Sequence, residues 1–252
     1  MSKSLTSLYI HEEVVHNFAA PKEVVPIIQL ITKANSVLDV GCGIGTWLRI
    51  FEEHGVSDYL GIDGNHVDVS LLKIPVTKFL TKDLRRAWSL DRKFDIVICL
   101  EVAEHLPEES AEQFVKTIIS HSDIIIFSAA IPGQGGQNHL NEQWPEYWQA
   151  KFENHGYFFH DVLRPLLWTN EKVDWWYRQN IFLITKNKPE SLPFNALSIV
   201  HPKLFLVQKE NEKQFYSSLL EGKQGLRMAF RILLNAAIFK MRNLFTFLTL
   251  FY

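Results

Sequence analysis

Residues 37–45, Val-Leu-Asp-Val-Gly-Cys-Gly-Ile-Gly, decide the fold of this chain. The apolar run with β-branched members predicts a buried strand over Val37–Val40, and three glycines then follow at alternate positions. From Thr46 onward the pattern predicts a helix. Glycines let the backbone approach a ligand closely, and the next helix offers its N-terminal N–H groups. A strand, a glycine turn and a helix in this order are typical of a site for a nucleotide-like cofactor.

The spacing of the glycines indicates which class of cofactor the turn would bind. A dinucleotide fingerprint needs a small residue at position 46, where Thr46 stands, and here the third glycine comes one residue early, at Gly45. Asp39, two residues before Gly41, disfavours a pyrophosphate but suits a cofactor with a cationic amino-acid end. The pattern resembles motif I of class I S-adenosylmethionine (SAM) methyltransferases, x-Leu-Asp-x-Gly-x-Gly-x-Gly. The resemblance covers roughly residues 20–186 and implies SAM as cofactor.

Composition limits the class of protein. The chain has 252 residues, 47% of them hydrophobic, and a formal net charge of −2, which fits one sizeable α/β domain with appended segments. The near-neutral charge argues against a nucleic-acid binder. Two cysteines do not indicate a disulfide scaffold, and no signal peptide or apolar stretch of membrane-spanning length is visible. We therefore expect a cytoplasmic enzyme.

Alternating strand-like and helix-like segments predict a doubly wound, mostly parallel seven-stranded α/β sheet. The predicted strands are Val37–Val40, Tyr59–Asp63, Val76–Leu80, Phe94–Leu100, Asp123–Ala129, Val162–Leu167 and Ile181–Thr185. The predicted helices are Val24–Ile31, Thr46–His54, Glu108–Ser120 and Trp144–His155. We expect a methyltransferase domain over residues 1–187, a linker over 188–196 and a helical C-terminal extension over 197–252.

Acidic residues after the strands predict how the cofactor is held. Asp63 ends the second strand 22 residues after Gly41, where a carboxylate can accept both ribose hydroxyls. The resemblance implies that Asp83 accepts a hydrogen bond from the adenine amino group and that Leu84 covers one adenine face. We assign Trp47 to the core. The predicted cofactor-binding residues are Asp39, Gly41, Cys42, Gly43, Gly45, Asp63, Asp83, Leu84 and Glu101.

The segment after the fourth strand carries the candidate chemistry. Glu101, Glu104 and His105 have i, i+3, i+4 spacing, so one helical turn would place them on one face. Two carboxylates and an imidazole at a strand end form a half-site for a divalent metal. A further histidine, His139, follows the fifth strand in a glycine-containing segment. In the alternative interpretation Glu101 contacts the cofactor, while Glu104 and His105 orient the start of a helix.

Glu-x-x-Glu-His followed by a later histidine resembles the metal site of two methyltransferase groups. One makes O-methyl ethers on ubiquinone precursors, and the other methylates the terminal 2′-hydroxyl of small RNAs. The resemblance implies Glu101, Glu104, His105 and His139 as ligands of Mg²⁺ or Mn²⁺, which would activate an acceptor hydroxyl. The same segment also occurs in methyltransferases without a metal. In that case His105 or His139 is the general base, so we count Glu104, His105 and His139 as candidate catalytic residues.

The acceptor is less well defined by the sequence. Residues 144–182 hold five of the seven tryptophans, among them Trp148, which we assign to the core with Phe152. Residues 135–156 also resemble small methyltransferases of bacterial surface-polysaccharide pathways. We predict O-methylation of a small molecule or saccharide. The alternatives are RNA 2′-O-methylation, N-methylation of a small molecule, and a catalytically silent SAM-binding module that recruits a partner.

The C-terminal segment Leu226–Tyr252 mixes basic residues with many apolar ones. This pattern is typical of a helix that lies on an anionic membrane surface. It is equally typical of a helix packed on its own domain or on a partner subunit of a homo-oligomer, which is the interpretation we favour from the sequence.

Overall fold

The computed structural model describes residues 17–186 and 198–248, with side chains described as far as residue 241. The chain divides into two compact units, Met1–Leu204 and Phe205–Tyr252. The predicted linker, residues 188–196, lies outside the described residues, so its extent stays a prediction.

The described part of the first unit is built on a seven-stranded sheet. Its strands are β1 (Ser36–Val40), β2 (Asp58–Asp63), β3 (Phe79–Thr81), β4 (Ile96–Leu100), β5 (Ile124–Ser128), β6 (Phe158–His160) and β7 (Phe182–Thr185). The strand order is β3-β2-β1-β4-β5-β7-β6, and β7 alone runs antiparallel, to both of its neighbours. The doubly wound, mostly parallel sheet is therefore confirmed.

Helices accompany the sheet and follow it along the chain. They are α1 (Ala19–Thr32), α2 (Thr46–Glu53), α3 (Ala111–Ile119), α4 (Pro145–Glu153), α5 (Leu163–Leu167), α6 (Trp175–Asn180), α7 (Pro202–Leu220) and α8 (Leu226–Leu248). The last two confirm the predicted helical C-terminal part. Within the described residues, no helix is both long and apolar enough to cross a membrane.

Two hydrophobic cores lie on opposite faces of the sheet. Val37 of β1 packs in one core with residues of α1, α2 and α5, whereas Leu38 packs in the other with residues of α3 and α4. Successive side chains of a strand point to opposite faces, so a strand covered on both sides reads as a continuous apolar run. β1, β4 and β5 satisfy this condition, which explains why they were predicted well.

Two predictions were wrong in detail. Val76–Lys78 is a 3₁₀ turn that precedes the short strand β3. Residues 162–167, predicted as a strand, instead contain helix α5, because Leu163 and Leu167 are one helical turn apart and both are buried. Pro165 within that run cannot donate to a strand ladder and was the available signal.

Candidate active site

The turn between β1 and α2 is fixed by backbone hydrogen bonds. The N–H groups of Gly41 and Cys42 donate to the carbonyl oxygen of Ile62, at 2.7 and 3.1 Å. Gly41, Gly43 and Gly45 have φ angles of 82°, 53° and 83°, a region in which side chains are strained. The turn therefore follows the end of β2 closely, and the glycines permit its conformation.

The space beside two of these glycines is filled by the protein itself. A Cβ atom on Gly41 would overlap the side chain of Val102, and one on Gly45 would lie 2.8 Å from Cγ1 of Ile74. We expected the glycines to admit a ligand, and the structure shows that they also admit these two side chains. Because Val102 lies between Glu101 and Ala103, the glycine turn packs directly against the segment that carries the candidate chemistry.

Asp39 is a buried carboxyl group with an oxygen that no described residue hydrogen-bonds. It is 3% exposed, and its Oδ2 atom accepts no hydrogen bond from any described residue. Burial raises its pKa well above the usual range, and the negative charge of Asp63 raises this pKa further. A cationic group beside the carboxyl would offset both effects. The site therefore fits a cofactor with a cationic amino-acid end, as SAM has.

Asp63 joins the end of β2 to the glycine turn. Its Oδ2 accepts the N–H of Gly43 at 2.7 Å, and its Oδ1 accepts the N–H of Gly64 at 2.6 Å. Burial raises the pKa of Asp63, while these two N–H groups and His66 lower it. Each carboxylate oxygen can accept a second hydrogen bond, so ribose hydroxyls fit this position.

The two residues predicted to hold adenine lie in different environments. Asp83 is partly exposed and paired with Arg85, whose Nε and Nη2 lie 2.8 and 2.9 Å from the two carboxylate oxygens. Arg85 lowers the pKa of this carboxyl. Leu84 is buried in the core on the α3 side of the sheet. Trp47 is also a core residue, as expected, and the adenine contacts stay a prediction.

After β4 the chain bends sharply instead of starting a regular helix. Glu101 has a φ of 55°, and a 3₁₀ turn follows over Ala103–His105. The prediction that Glu101, Glu104 and His105 share one helical face was therefore wrong for Glu101. The N–H groups of Leu140 and Asn141 donate to the carbonyl oxygen of Glu104, at 2.7 and 2.9 Å. These bonds bring the His139 segment onto the 3₁₀ turn.

Among the described residues, Glu104, His105 and His139 form a cluster able to hold a metal ion. One ligand atom from each lies within 4.8 Å of the other two. The rings of His105 and His139 meet edge to face, with centroids 4.9 Å apart. Three of the four predicted ligands therefore come together, and Glu101 lies outside this cluster.

The electrostatics of the cluster suit a cation. Glu104 is 0% exposed, and neither carboxylate oxygen is hydrogen-bonded to a described residue. Burial raises its pKa well above the usual range, as does the charge of Glu101, and nearby backbone N–H groups oppose this only in part. Burial lowers the pKa of His105 to about 4, and the charge of His139 acts in the same direction. His105 is therefore neutral at physiological pH and able to bind a metal through a ring nitrogen.

Glu142 is a site residue that was not predicted from the sequence. Its Oε1 lies 2.8 Å from Nδ1 of His139, and its two oxygens also accept the N–H groups of Gly133 and Gly135 at 2.8 Å each. A carboxylate accepts, so Nδ1 of His139 is the donor in this contact, and in the neutral imidazole Nε2 is then the nitrogen with the lone pair. The i, i+3 spacing of His139 and Glu142 could have indicated that these two side chains pair.

Gln134 and Asn180 are two further residues that the sequence did not indicate. The carboxylate of Glu101 accepts the amide N–H groups of Gln134 at 2.7 Å and of Asn180 at 3.1 Å. Burial raises the pKa of Glu101, and these amides lower it. They come from the loop after β5 and from α6, so no local pattern links them to Glu101. Glu101 is thereby held beside the cluster by neutral donors.

Comparisons with known proteins agree with this geometry. A family model described as a methyltransferase domain matches residues 13–175, more than half of the chain. The ubiquinone biosynthesis O-methyltransferase of Coxiella burnetii is 32% identical over 92 residues, which are 32% of this chain and 36% of that protein. The match thus spans about a third of the length of this curated relative.

Solved structures share the fold at low sequence identity. The sugar N-methyltransferase KedS8 from Streptoalloteichus sp. aligns with a TM-score of 0.54 and 17% identity, over 75% of this chain and 99% of KedS8. SAM-bound CalS10, an amino pentose methyltransferase from Micromonospora echinaspora, aligns with a TM-score of 0.52 and 16% identity, over 72% and 99% of the two chains. The chain belongs to the class I SAM-dependent methyltransferases.

Proposed function

We propose that the protein transfers the methyl group of SAM to a hydroxyl of a small molecule or saccharide, with a divalent metal at Glu104, His105 and His139. The observation that carries the proposal is the buried carboxylate of Glu104, which no described residue satisfies, beside two imidazoles. An uncompensated buried carboxylate destabilises a protein unless a ligand meets it. A cation is the ligand that meets both the carboxylate and the histidine nitrogens.

One set of residues binds the cofactor, and a second set activates the acceptor. SAM supplies a methyl group on a sulfonium centre, and the neutral thioether that remains when the S–CH3 bond breaks is a good leaving group. Asp39, Asp63 and the glycine turn bind and orient the cofactor, so the reaction depends mainly on positioning. A metal would supply Lewis-acid activation of the acceptor hydroxyl. Glu104, His105 and His139 would hold that metal, and Glu142 fixes the proton of His139 at Nδ1.

The donor set favours one metal over another. Mg²⁺ prefers oxygen ligands, whereas imidazole suits transition ions. Two histidines and one carboxylate therefore fit Mn²⁺ better than Mg²⁺. A metal held by these residues would also favour an acceptor with vicinal hydroxyls, as in a catechol or a sugar diol. The curated relative is named for O-methylation, which supports a hydroxyl as acceptor.

A second candidate mechanism uses His139 as a metal-free general base. The 2.8 Å contact between Glu142 and Nδ1 of His139 favours it, because it leaves Nε2 free to accept a proton. His105 is a weak base, since burial lowers its pKa to about 4. In this form the acceptor could be an amine, as in the sugar N-methyltransferase of similar fold.

The two mechanisms differ in their response to metal. Purified protein would be stripped with a chelator and assayed for release of demethylated cofactor with a catechol, a sugar diol and an amino sugar. The proposal predicts turnover of a diol only when Mn²⁺ is restored. Equal turnover with chelator present would favour the His139 base, and turnover of the amino sugar alone would favour N-methylation.

A further inference from the structure

Helix α8 carries a broad apolar surface that is open to solvent. Leu226, Phe230 and Leu233 share one side of the helix and are 90%, 69% and 70% exposed. Leu234 and Met241 lie on the same side and are half exposed. Exposed apolar surface of this extent marks a site of interaction with another surface.

The charges of the same helix all have one sign. Residues 226–248 contain four basic residues, Arg227, Arg231, Lys240 and Arg242, and no acidic residue. Arg227 and Arg231 are one turn apart, beside the apolar side. Residues 1–204 carry 19 basic and 25 acidic residues, whereas residues 205–252 carry seven basic and three acidic residues. The C-terminal unit thus has a net positive charge, whereas the rest of the chain has a net negative one.

We propose that α8 binds the surface of an anionic lipid bilayer, with its apolar side among the acyl chains and its basic residues at the headgroups. Apolar residues with Lys or Arg beside them, at low net hydrophobicity, define helices that lie in the membrane interface. Each basic residue near an anionic surface strengthens such binding, and long basic side chains reach the headgroups from a buried helix.

A second copy of the chain is a less suitable occupant of this surface. Basic residues stand near both ends of α8, and no acidic residue lies between them. Pairing of two α8 helices would therefore bring like charges together in either orientation, which is destabilising. An anionic bilayer meets the same charges with the opposite sign.

The test is co-sedimentation of the full chain with lipid vesicles. One set would be phosphatidylcholine alone and the other would contain about one third phosphatidylglycerol. We expect sedimentation with the anionic vesicles only, and release at high salt because screening weakens attraction between exposed charges. Equal sedimentation with both sets, or none with either, would overturn the proposal.

Matched variants locate the binding surface. Arg227→Glu/Arg231→Glu is expected to weaken binding at least about tenfold, since two charges near the surface are reversed. Lys209→Glu/Lys213→Glu makes the same change of net charge on α7, also with i, i+4 spacing, and is expected to have the smaller effect. Equal effects of the two variants would show that net charge rather than α8 governs binding.

Two further measurements keep the result interpretable. Phe230→Ser/Leu233→Ser is expected to weaken binding without changing any charge, and circular dichroism reports whether each variant keeps its helices. The milder Arg227→Gln/Arg231→Gln serves if the charge reversal unfolds the helix. Light scattering that finds a dimer dispersed by Leu233→Glu would assign the surface to a second copy and contradict the proposal.

Discussion

The two halves of the proposed active site are built in different ways. The cofactor half, from Asp39 to Asp63, is local in sequence and is closed by backbone hydrogen bonds and by packing against the side chain of Val102. The acceptor half joins the Glu104 turn to the separate His139 segment, and its buried carboxylate is satisfied by no described residue. The proposed cofactor half therefore contributes contacts that stabilise the fold itself, whereas the proposed acceptor half buries a carboxylate whose cost a bound ligand would offset.

The largest effect is expected from Gly41→Ala in the cofactor half. The substitution adds a Cβ at a φ of 82° and against the side chain of Val102. Strained backbone and overpacking together should lower the free energy of unfolding by about 3 kcal/mol or more. Chemical denaturation measures the loss.

Two variants sharpen this expectation. Gly55→Ala is the matched control, because Gly55 has a φ of 92° with no atom within 4 Å of an added Cβ, so it should lose only about 1 kcal/mol. Gly41→Ala/Val102→Ala should recover part of the loss by removing the overlap. Equal losses at Gly41 and Gly55 would show that packing against Val102 is unimportant.

Glu104→Gln is expected to separate the two halves. Removing a metal ligand should lower metal-dependent methyl transfer at least about a hundredfold, since Lewis-acid activation contributes several kcal/mol. Thermal unfolding of the metal-free protein should be no easier, and cofactor binding should be retained, because no buried charge is left unpaired. Glu108→Gln, at an exposed position three residues after His105, is the control for both readouts. A Glu104→Gln protein with full activity would contradict the assignment.

Glu142→Gln tests whether a residue outside the cluster of Glu104, His105 and His139 affects metal affinity or turnover. Glutamine can no longer hold the Nδ1 proton of His139 as a carboxylate does, so metal affinity or turnover should fall about 10- to 100-fold. The affinity for SAM should stay unchanged. Glu146→Gln replaces a nearby exposed carboxylate bonded to Ser198 and should have no such effect. Similar behaviour of both variants would remove Glu142 from the mechanism.

The smallest effect is expected from Asp39→Asn. The pKa of Asp39 is raised in the folded state, so its folded form holds a proton more tightly than its unfolded form. The ligand-free protein should therefore lose stability as pH rises from about 4 through the raised pKa. The substitution would remove that slope and add about 1 kcal/mol at neutral pH, while weakening SAM binding.

Thermal unfolding from acid to neutral pH, with and without SAM, measures both effects. Asp91→Asn, at an exposed carboxyl, should leave the pH dependence unchanged. A wild-type protein whose ligand-free stability is flat over this range would contradict a raised pKa for Asp39 and with it the need for a cationic group beside this carboxyl.

The same contrast explains which parts of the site could be predicted from the sequence. The Gly41–Gly45 turn and Asp63 were predictable because residue type and spacing within one βαβ segment dictate them. His139 was found by residue type alone, and its contact with Glu104 depends on backbone bonds from Leu140 and Asn141 that no periodicity reveals.

The errors have a physical cause as well. Glu101 left the expected helical face because the chain takes a positive φ there, which sequence rules assign to glycine or asparagine. Its partners, Gln134 and Asn180, come from the β5 loop and α6, elements adjacent only in the folded sheet. Long-range contacts of neutral side chains carry no local signal, so this part of the site required the structure.

The most direct test of the metal assignment is a calorimetric titration of metal-stripped protein with Mn²⁺ in the presence of demethylated cofactor. The wild-type chain should bind one equivalent, more tightly than it binds Mg²⁺, and Glu104→Gln should lose this binding while Glu108→Gln retains it. No binding by the wild type, or binding that Glu104→Gln leaves intact, would contradict a metal site at Glu104, His105 and His139.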